Sequence, residues 1–406
     1  MKFLSRDWLL SLHLLPLESC IVLSALFLFL SPNSVFWSLL FFAVGSLTTV
    51  ALFVILPLSP LKSVGAHSVG IRHLNRNLAV YYPTFIQPIE GEPWLPGNDS
   101  SFIYTMAKQT GVRSMWLKHL KLVRIPCTRN ASVVSLMTHK GEPRQVFIIS
   151  HNYGTHHLSY SYLALALASC GALVYTILHS DNTDVSIGKS RIGSLAATEE
   201  DSLQDRSLIH ERRMTQLTKR VEDVIRLIEG FSQGEMLQPL QVRPSEWQTF
   251  LSSGAKVNLI GHGFGALTMI AVAFKAPTSV AQLIESITAM DTWPLNLVDD
   301  LTRGQQYIPS HIHMQLVDSE EWSKRREHGM QEEELKEFLT SFGVDCIRKT
   351  YTGTDHASVT DMGLLAPVTR RKQFASKKSS TFIPLVAKEI MRFAQGFGSE
   401  TTTTLV

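Results

Sequence analysis

Lys256-Val-Asn-Leu-Ile-Gly261-His262-Gly263-Phe264-Gly265-Ala266 reads as a short apolar run, a glycine-lined turn and the start of a helix. Val257, Leu259 and Ile260 have the spacing of a buried strand, and the apolar residues from Ala266 to Ala273 continue as helix. This is the setting of the nucleophile elbow, Gly-x-Ser-x-Gly, in which a serine sits on a sharp strand-to-helix turn. The flanking glycines are needed because the turn is strained and neighbouring backbones pass close by. Here the central residue is Gly263. A glycine has no side chain to attack a carbonyl, so the stretch points to a fold while withholding its usual chemistry.

Downstream, Ile287-Thr-Ala-Met-Asp291-Thr-Trp-Pro reads as a buried strand ending in an acid, and Tyr351-Thr-Gly-Thr-Asp-His356 places a histidine on a loop after another strand-like stretch. Nucleophile position, acid, histidine is the chain order of α/β-hydrolases. In that arrangement the histidine takes the nucleophile's proton and the acid holds its tautomer. Upstream, Gln145-Val-Phe-Ile-Ile-Ser-His151-Asn152-Tyr153-Gly154 is an apolar strand running into a polar, glycine-ended loop. Such a loop can aim a backbone amide at an oxyanion, and the residue after the nucleophile supplies the second donor. The expected donors are the amides of Tyr153 and Phe264. The expected fold is an α/β-hydrolase: a mostly parallel sheet with helices on both faces and Gly263 at the elbow.

The sequence resembles the platelet-activating factor acetylhydrolases, serine-dependent phospholipase A-type lipid esterases. The resemblance runs from about Val80 to the C-terminal helix. It rests on Val80-Tyr-Tyr-Pro-Thr, Trp94-Leu-Pro, Ser150-His-Asn-Tyr-Gly against the family's Ser-His-Gly-Leu-Gly, and Leu167-Ala-Ser-Cys-Gly-Ala-Leu-Val. Leu316-Val-Asp-Ser-Glu-Glu and Gly261-His-Gly-Phe-Gly, against Gly-His-Ser-Phe-Gly, complete it. Position by position, the resemblance puts Gly263 on the nucleophile, Asp291 on the acid and His356 on the base. Three departures stand beside the site: Gly263 for serine, Asn152 for the glycine of the oxyanion loop, and Leu178-His179-Ser180-Asp181 for the family's Glu-His-Arg-Asp.

The 406 residues suit one α/β domain of about 300 residues plus an appendage. The net charge of +3 implies no attraction to nucleic acid. Cys20, Cys127, Cys170 and Cys346 are too scattered for a disulfide framework or a metal site. The adjacent His156 and His157, and the pair His311 and His313, lack a third ligand placed by sequence, so no metal or cofactor is expected. The glutamates 332–334 read as the start of a helix, where acids suit the positive end of the dipole.

The appendage reads as a membrane device. Residues 35–58 carry no charge and are long enough to cross a bilayer, which takes about 20 apolar residues. Residues 19–30 are also apolar, and the intervening Ser31-Pro-Asn-Ser is a turn signal. Lys2 and Arg6 precede the first segment and Lys62, Arg72 and Arg76 follow the second, so the positive-inside rule puts both ends on the cytoplasmic or matrix side. A secretory signal is the alternative, but the apolar stretch is doubled and no clean cleavage site follows.

The expected organisation is a membrane hairpin over 1–60, a linker over 61–77, the hydrolase domain over 78–398 and a disordered tail over 399–406. Within it, 93–118 is expected as an irregular arm, 181–208 as a polar surface excursion and 210–229 as an amphipathic helix. Two functions stay open. One is a membrane-anchored pseudo-esterase with a lipid-binding or assembly role in a membrane complex. The other is an active phospholipid esterase of the 1-alkyl-2-acetylglycerophosphocholine type. The expected partners are a phospholipid membrane, a phospholipid ligand or a membrane-complex protein, and not nucleic acid.

Overall fold

Along β6 (Val146–Ser150), Val146 and Ile148 enter one core while Phe147 and Ile149 enter another. The same alternation divides β7 (Leu173–Ile177) and β8 (Val257–His262). Strands apolar on both faces need cover on both, which is the situation of a parallel sheet between helical layers. The computed structural model describes residues 6–30, 35–55, 64–89, 91–95, 102–104, 107, 113–181, 206–293, 308–365 and 379–396.

The sheet has nine strands in the order β11-β10-β9-β8-β6-β7-β2-β1-β5. Its remaining strands are β1 (Ser68–Asn75), β2 (Leu78–Thr84), β5 (Thr128–Arg129), β9 (Ile284–Met290), β10 (His313–Ser319) and β11 (Cys346–Tyr351), while β3 (Glu92–Pro93) and β4 (Arg124–Ile125) form a separate antiparallel pair. From β7 to β11 every pairing is parallel, and β2 joins β7 and β1 antiparallel. The mostly parallel α/β architecture expected from the sequence is what is found.

Two helices open the chain, α1 (Arg6–Leu30) and α2 (Val35–Ile55). On one face of the sheet lie α4 (Arg206–Ser232), α5 (Phe264–Lys275) and α6 (Arg326–Ser341); on the other lie α3 (Ser161–Ser169) and α7 (Ser379–Ala394). The expected helix over 210–229 is the middle of α4, whose Leu217, Val221, Val224 and Ile228 are buried at helical spacing. In the irregular arm, Trp94 is fully buried and its indole N–H donates to Asp361 Oδ2 at 2.8 Å.

Two expectations need correction. The stretch expected as a linker contributes β1, whose antiparallel register with β2 makes it part of the sheet. The glutamates 332–334 do not start a helix: α6 begins at Arg326, so they fall in its middle. Glu332 is fully buried there, and its Oε1 accepts from the Thr292 amide at 3.0 Å. Burial and the adjoining Asp318 raise its carboxyl pKa above the ordinary glutamate range, against the pull of Arg348.

The first two helices pack on each other. Ser24 Oγ donates to Ser38 O at 2.9 Å and Ser38 Oγ returns the bond to Ser24 O at 3.0 Å. Opposite Gly45 lies Cys20, so close that a Cβ on the glycine would stand 2.6 Å from the cysteine Cβ. Among the described residues no helix is long and apolar enough to cross a membrane. Residues 182–205 of the expected surface excursion and the tail 399–406 lie outside the described residues.

Candidate active site

The chain leaves β6 for β7 on one side and returns through α4 to β8 on the other. In open α/β sheets such a reversal leaves a crevice at the carboxyl ends of the two strands. Ser150 pairs with Gly261 at that end, so the loop after β6 and the turn after β8 face one another.

Gly263 forms the apex of that turn with φ 56° and ψ −115°, a conformation costly for any residue with a Cβ. Its N–H donates to Met290 O at 2.9 Å, tying the apex to the end of β9. Gly265, in the first turn of α5, lies so near the loop after β6 that a Cβ there would run into the Ser150 and His151 carbonyls. The glycines thus let the elbow press directly on the loop.

Asp291 follows β9 and is buried. Its Oδ1 accepts from the Ser319 amide at 2.6 Å, and its Oδ2 accepts from Ser319 Oγ at 2.8 Å and faces His356 Nδ1 at 3.0 Å. Burial alone would raise this carboxyl; the His356 hydrogen bond and charge, with His262 and the Ser319 amide, outweigh it and hold the carboxyl below the ordinary aspartate range. The His356 ring is stacked on Trp322 with centroids 4.7 Å apart, and the His262 ring tilts over it at 4.3 Å. His262 is fixed by the Tyr160 hydroxyl, 2.7 Å from its Nδ1, and burial followed by the nearby His356 lowers its pKa to about 3.

Asn152 lies at the centre of the site. Its Oδ1 accepts from the Tyr153 amide at 2.7 Å and the Phe264 amide at 3.0 Å. Its Nδ2 stands 2.7 Å from His356 Nε2. A Cβ built on Gly263 would overlap Asn152 Oδ1 and Cγ and come within 2.9 Å of Nδ2. The two amides converge on one oxygen as oxyanion donors do, and that oxygen belongs to the protein itself.

Behind the loop, Arg220 of α4 donates from Nε to Asp181 Oδ2 and from Nη1 to His151 O, each at 2.6 Å. Its guanidinium also lies 4.8 Å from the centre of the Phe264 ring. A second Ser-His-Asp string stands beside it: Ser150 Oγ is 2.7 Å from His179 Nε2, and His179 Nδ1 is 3.6 Å from Asp223 Oδ2. Ser150 is fully buried, so this string braces the loop and offers no nucleophile to a substrate. Tyr153, Phe264 and Trp293 meet edge to face, and Arg213 lies 3.8 Å over the Tyr153 ring. His262, Asp291 and His356 bring three potential ligand atoms within 4.8 Å. Two of these atoms, His356 Nδ1 and Asp291 Oδ2, already face each other at 3.0 Å, the contact of an acid holding a base.

The sequence model of the family described as platelet-activating factor acetylhydrolase, isoform II, matches residues 59–395. The chain belongs to this family. It is 25% identical over 259 residues to the platelet-activating factor acetylhydrolase of Cavia porcellus. That match covers 59% of this chain and spans only 57% of the relative's length. Among solved structures it is similar in fold to a ferulic acid esterase from Streptomyces cinnamoneus, with a TM-score of 0.52, 12% identity, and coverage of 84% of this chain and 94% of that one.

Within the acetylhydrolase family's pattern, the two departures Gly263 and Asn152 are neighbours in space. Asp291 and His356 come together as the chain order implies, and the Tyr153 and Phe264 amides converge. What the residue types did not reveal is that Asn152 fills the point of convergence. The only signal was its place in the loop where the family carries glycine. His179 and Asp181, read only as part of a changed loop, turn out to hold Ser150 and Arg220.

Proposed function

We propose that this acetylhydrolase-family protein is a membrane-anchored pseudo-esterase, with an acyl-transfer site kept in outline and silenced at its nucleophile. The observation that carries this reading is Gly263 at the apex of the elbow, with no side chain for covalent catalysis. Losing the nucleophile of a serine hydrolase lowers turnover by about a millionfold. Asp291, His356 and the Tyr153 and Phe264 amides are then the remaining parts of the machinery. The role left to such a body is to hold a phospholipid or to serve as an assembly partner in a membrane complex.

Anchoring through a helical hairpin draws support from the uncharged run over 35–58 and from exposed apolar side chains on both helices, among them Val22, Phe29, Phe36 and Leu47. Small residues at the contact, Ser24, Ser38, Gly45 and Cys20, resemble the packing of helices in lipid. The charge pattern favours a cytoplasmic or matrix-facing domain.

The kept Asp291–His356 hydrogen bond favours the alternative, a phospholipid esterase of the 1-alkyl-2-acetylglycerophosphocholine type working slowly through an activated water. Full-length protein treated with a fluorophosphonate probe, and assayed on short-acyl phospholipids, separates the two. Absence of labelling and background hydrolysis are expected. Robust hydrolysis abolished by His356→Ala would overturn the pseudo-esterase reading.

A further inference from the structure

In an active esterase three neighbouring points are shared between substrate and enzyme: the substrate's oxyanion between two amides, its carbonyl carbon, and the enzyme's serine hydroxyl against the histidine. One asparagine side chain covers all three here. Oδ1 sits between the Tyr153 and Phe264 amides, Cγ stands for the carbonyl carbon, and Nδ2 meets His356 Nε2 where a serine hydroxyl would donate. The contact requires Nε2 to accept, so Nδ1 carries the proton and donates it to Asp291 Oδ2. That is the tautomer a general base needs before reaction.

The backbone of Asn152 is held as firmly as its side chain. Its N–H donates to the Tyr160 hydroxyl at 3.1 Å, and its carbonyl accepts from Thr155 Oγ1 at 2.9 Å and lies 2.8 Å from His151 Nδ1. A ligand carbonyl seeking the two amides has to displace a side chain that makes three hydrogen bonds at once.

We propose that Asn152 is an internal ligand of the site, a carboxamide that occupies the acyl position and excludes ester carbonyls, and that Asn152 and Gly263 form a matched pair. The proposal rests on the pseudo-esterase reading and goes further, because it assigns the silence of the site to two residues. Glycine at 263 is what leaves room for the carboxamide, since any Cβ there would overlap it. Restoring a serine alone therefore installs a nucleophile with no open acyl site beside it.

The test compares three full-length variants, Gly263→Ser, Asn152→Gly and the double Asn152→Gly/Gly263→Ser, each checked for folding by thermal melting. With a fluorophosphonate probe, the double variant is expected to label at least about tenfold faster than Gly263→Ser, which stays near background. Equal labelling of these two, or no labelling of a folded double variant, would overturn the proposal. A second readout needs no nucleophile: carbethoxylation of His356 by diethyl pyrocarbonate, followed by peptide mass. Removing Asn152 uncovers Nε2, so Asn152→Gly should be modified about tenfold faster than the wild type; unchanged reactivity would also overturn it. Labelling of the wild-type chain would instead sink the pseudo-esterase reading itself, so the two failures are distinguishable.

Discussion

Asn152 and Gly263 claim the same volume: the carboxamide that receives the Phe264 amide lies where a side chain at 263 would begin. Each residue alone would look like a loss at an esterase site. Together they are complementary in shape, and a single side chain partners the Tyr153 and Phe264 amides and His356 Nε2. A buried amide without a partner is costly, and Asn152 spares the Tyr153 and Phe264 amides that cost.

For Gly263→Ser, the family's own use of serine at the elbow leads one to expect little loss of stability. The structure changes that expectation. Strain at φ 56° and displacement of Asn152 should together lower stability by about 1–3 kcal/mol. Urea titration of the variant beside Asn152→Gly/Gly263→Ser checks this, with part of the loss recovered in the double variant. A serine variant as stable as the wild type would mean the asparagine swings away freely.

The Asp291 carboxyl should make stability depend on acid. Its folded pKa is depressed, so its contribution is present above the unfolded value of about 3.9 and is lost as pH falls through the folded value. Against Asp291→Asn, the wild type should be more stable by about 1–3 kcal/mol at pH 7. That gap should narrow below about pH 4. Denaturant melts at several pH values report it; a gap independent of pH would rule out a stabilising Asp291 carboxylate.

Arg220 is buried with Asp181 and also holds the His151 carbonyl. Removing one member of a buried pair leaves the other uncompensated, so Arg220→Ala should cost about 3–5 kcal/mol. The double change Arg220→Met/Asp181→Leu should cost clearly less than the sum of its singles, which a double-mutant cycle of unfolding free energies measures.

If the proposed anchoring holds, deleting residues 1–60 should convert a carbonate-resistant protein into one released by carbonate, because the hairpin would supply the apolar anchor. Fractionation of expressing cells followed by immunoblotting decides it. A truncated protein that still resists extraction would place the membrane contact elsewhere on the chain.

Much of the architecture is legible along the chain. Alternation in β6 and β8, the glycines around 263, and the order of Asp291 and His356 are each set by a few consecutive residues or by connectivity. Short β1, read as linker, escaped because eight residues with His73 and Arg72 among them carry too little apolar pattern. Glu332 escaped for a related reason: a run of three glutamates looks solvated until Thr292 and Arg348 are seen to meet it at 3.0 and 3.1 Å.

By itself, then, the sequence determined the strands, the elbow, the absence of a serine and the apolar N-terminal segments, because backbone dihedrals and side-chain periodicity are local properties. Only the tertiary structure decided where Asn152 puts its carboxamide. That placement joins residues 112 positions apart across β6 and β8 and depends on strand register, on the crossover through α4 and on the space left by one missing Cβ. Contacts of that kind are made by packing, and residue type alone does not reveal them.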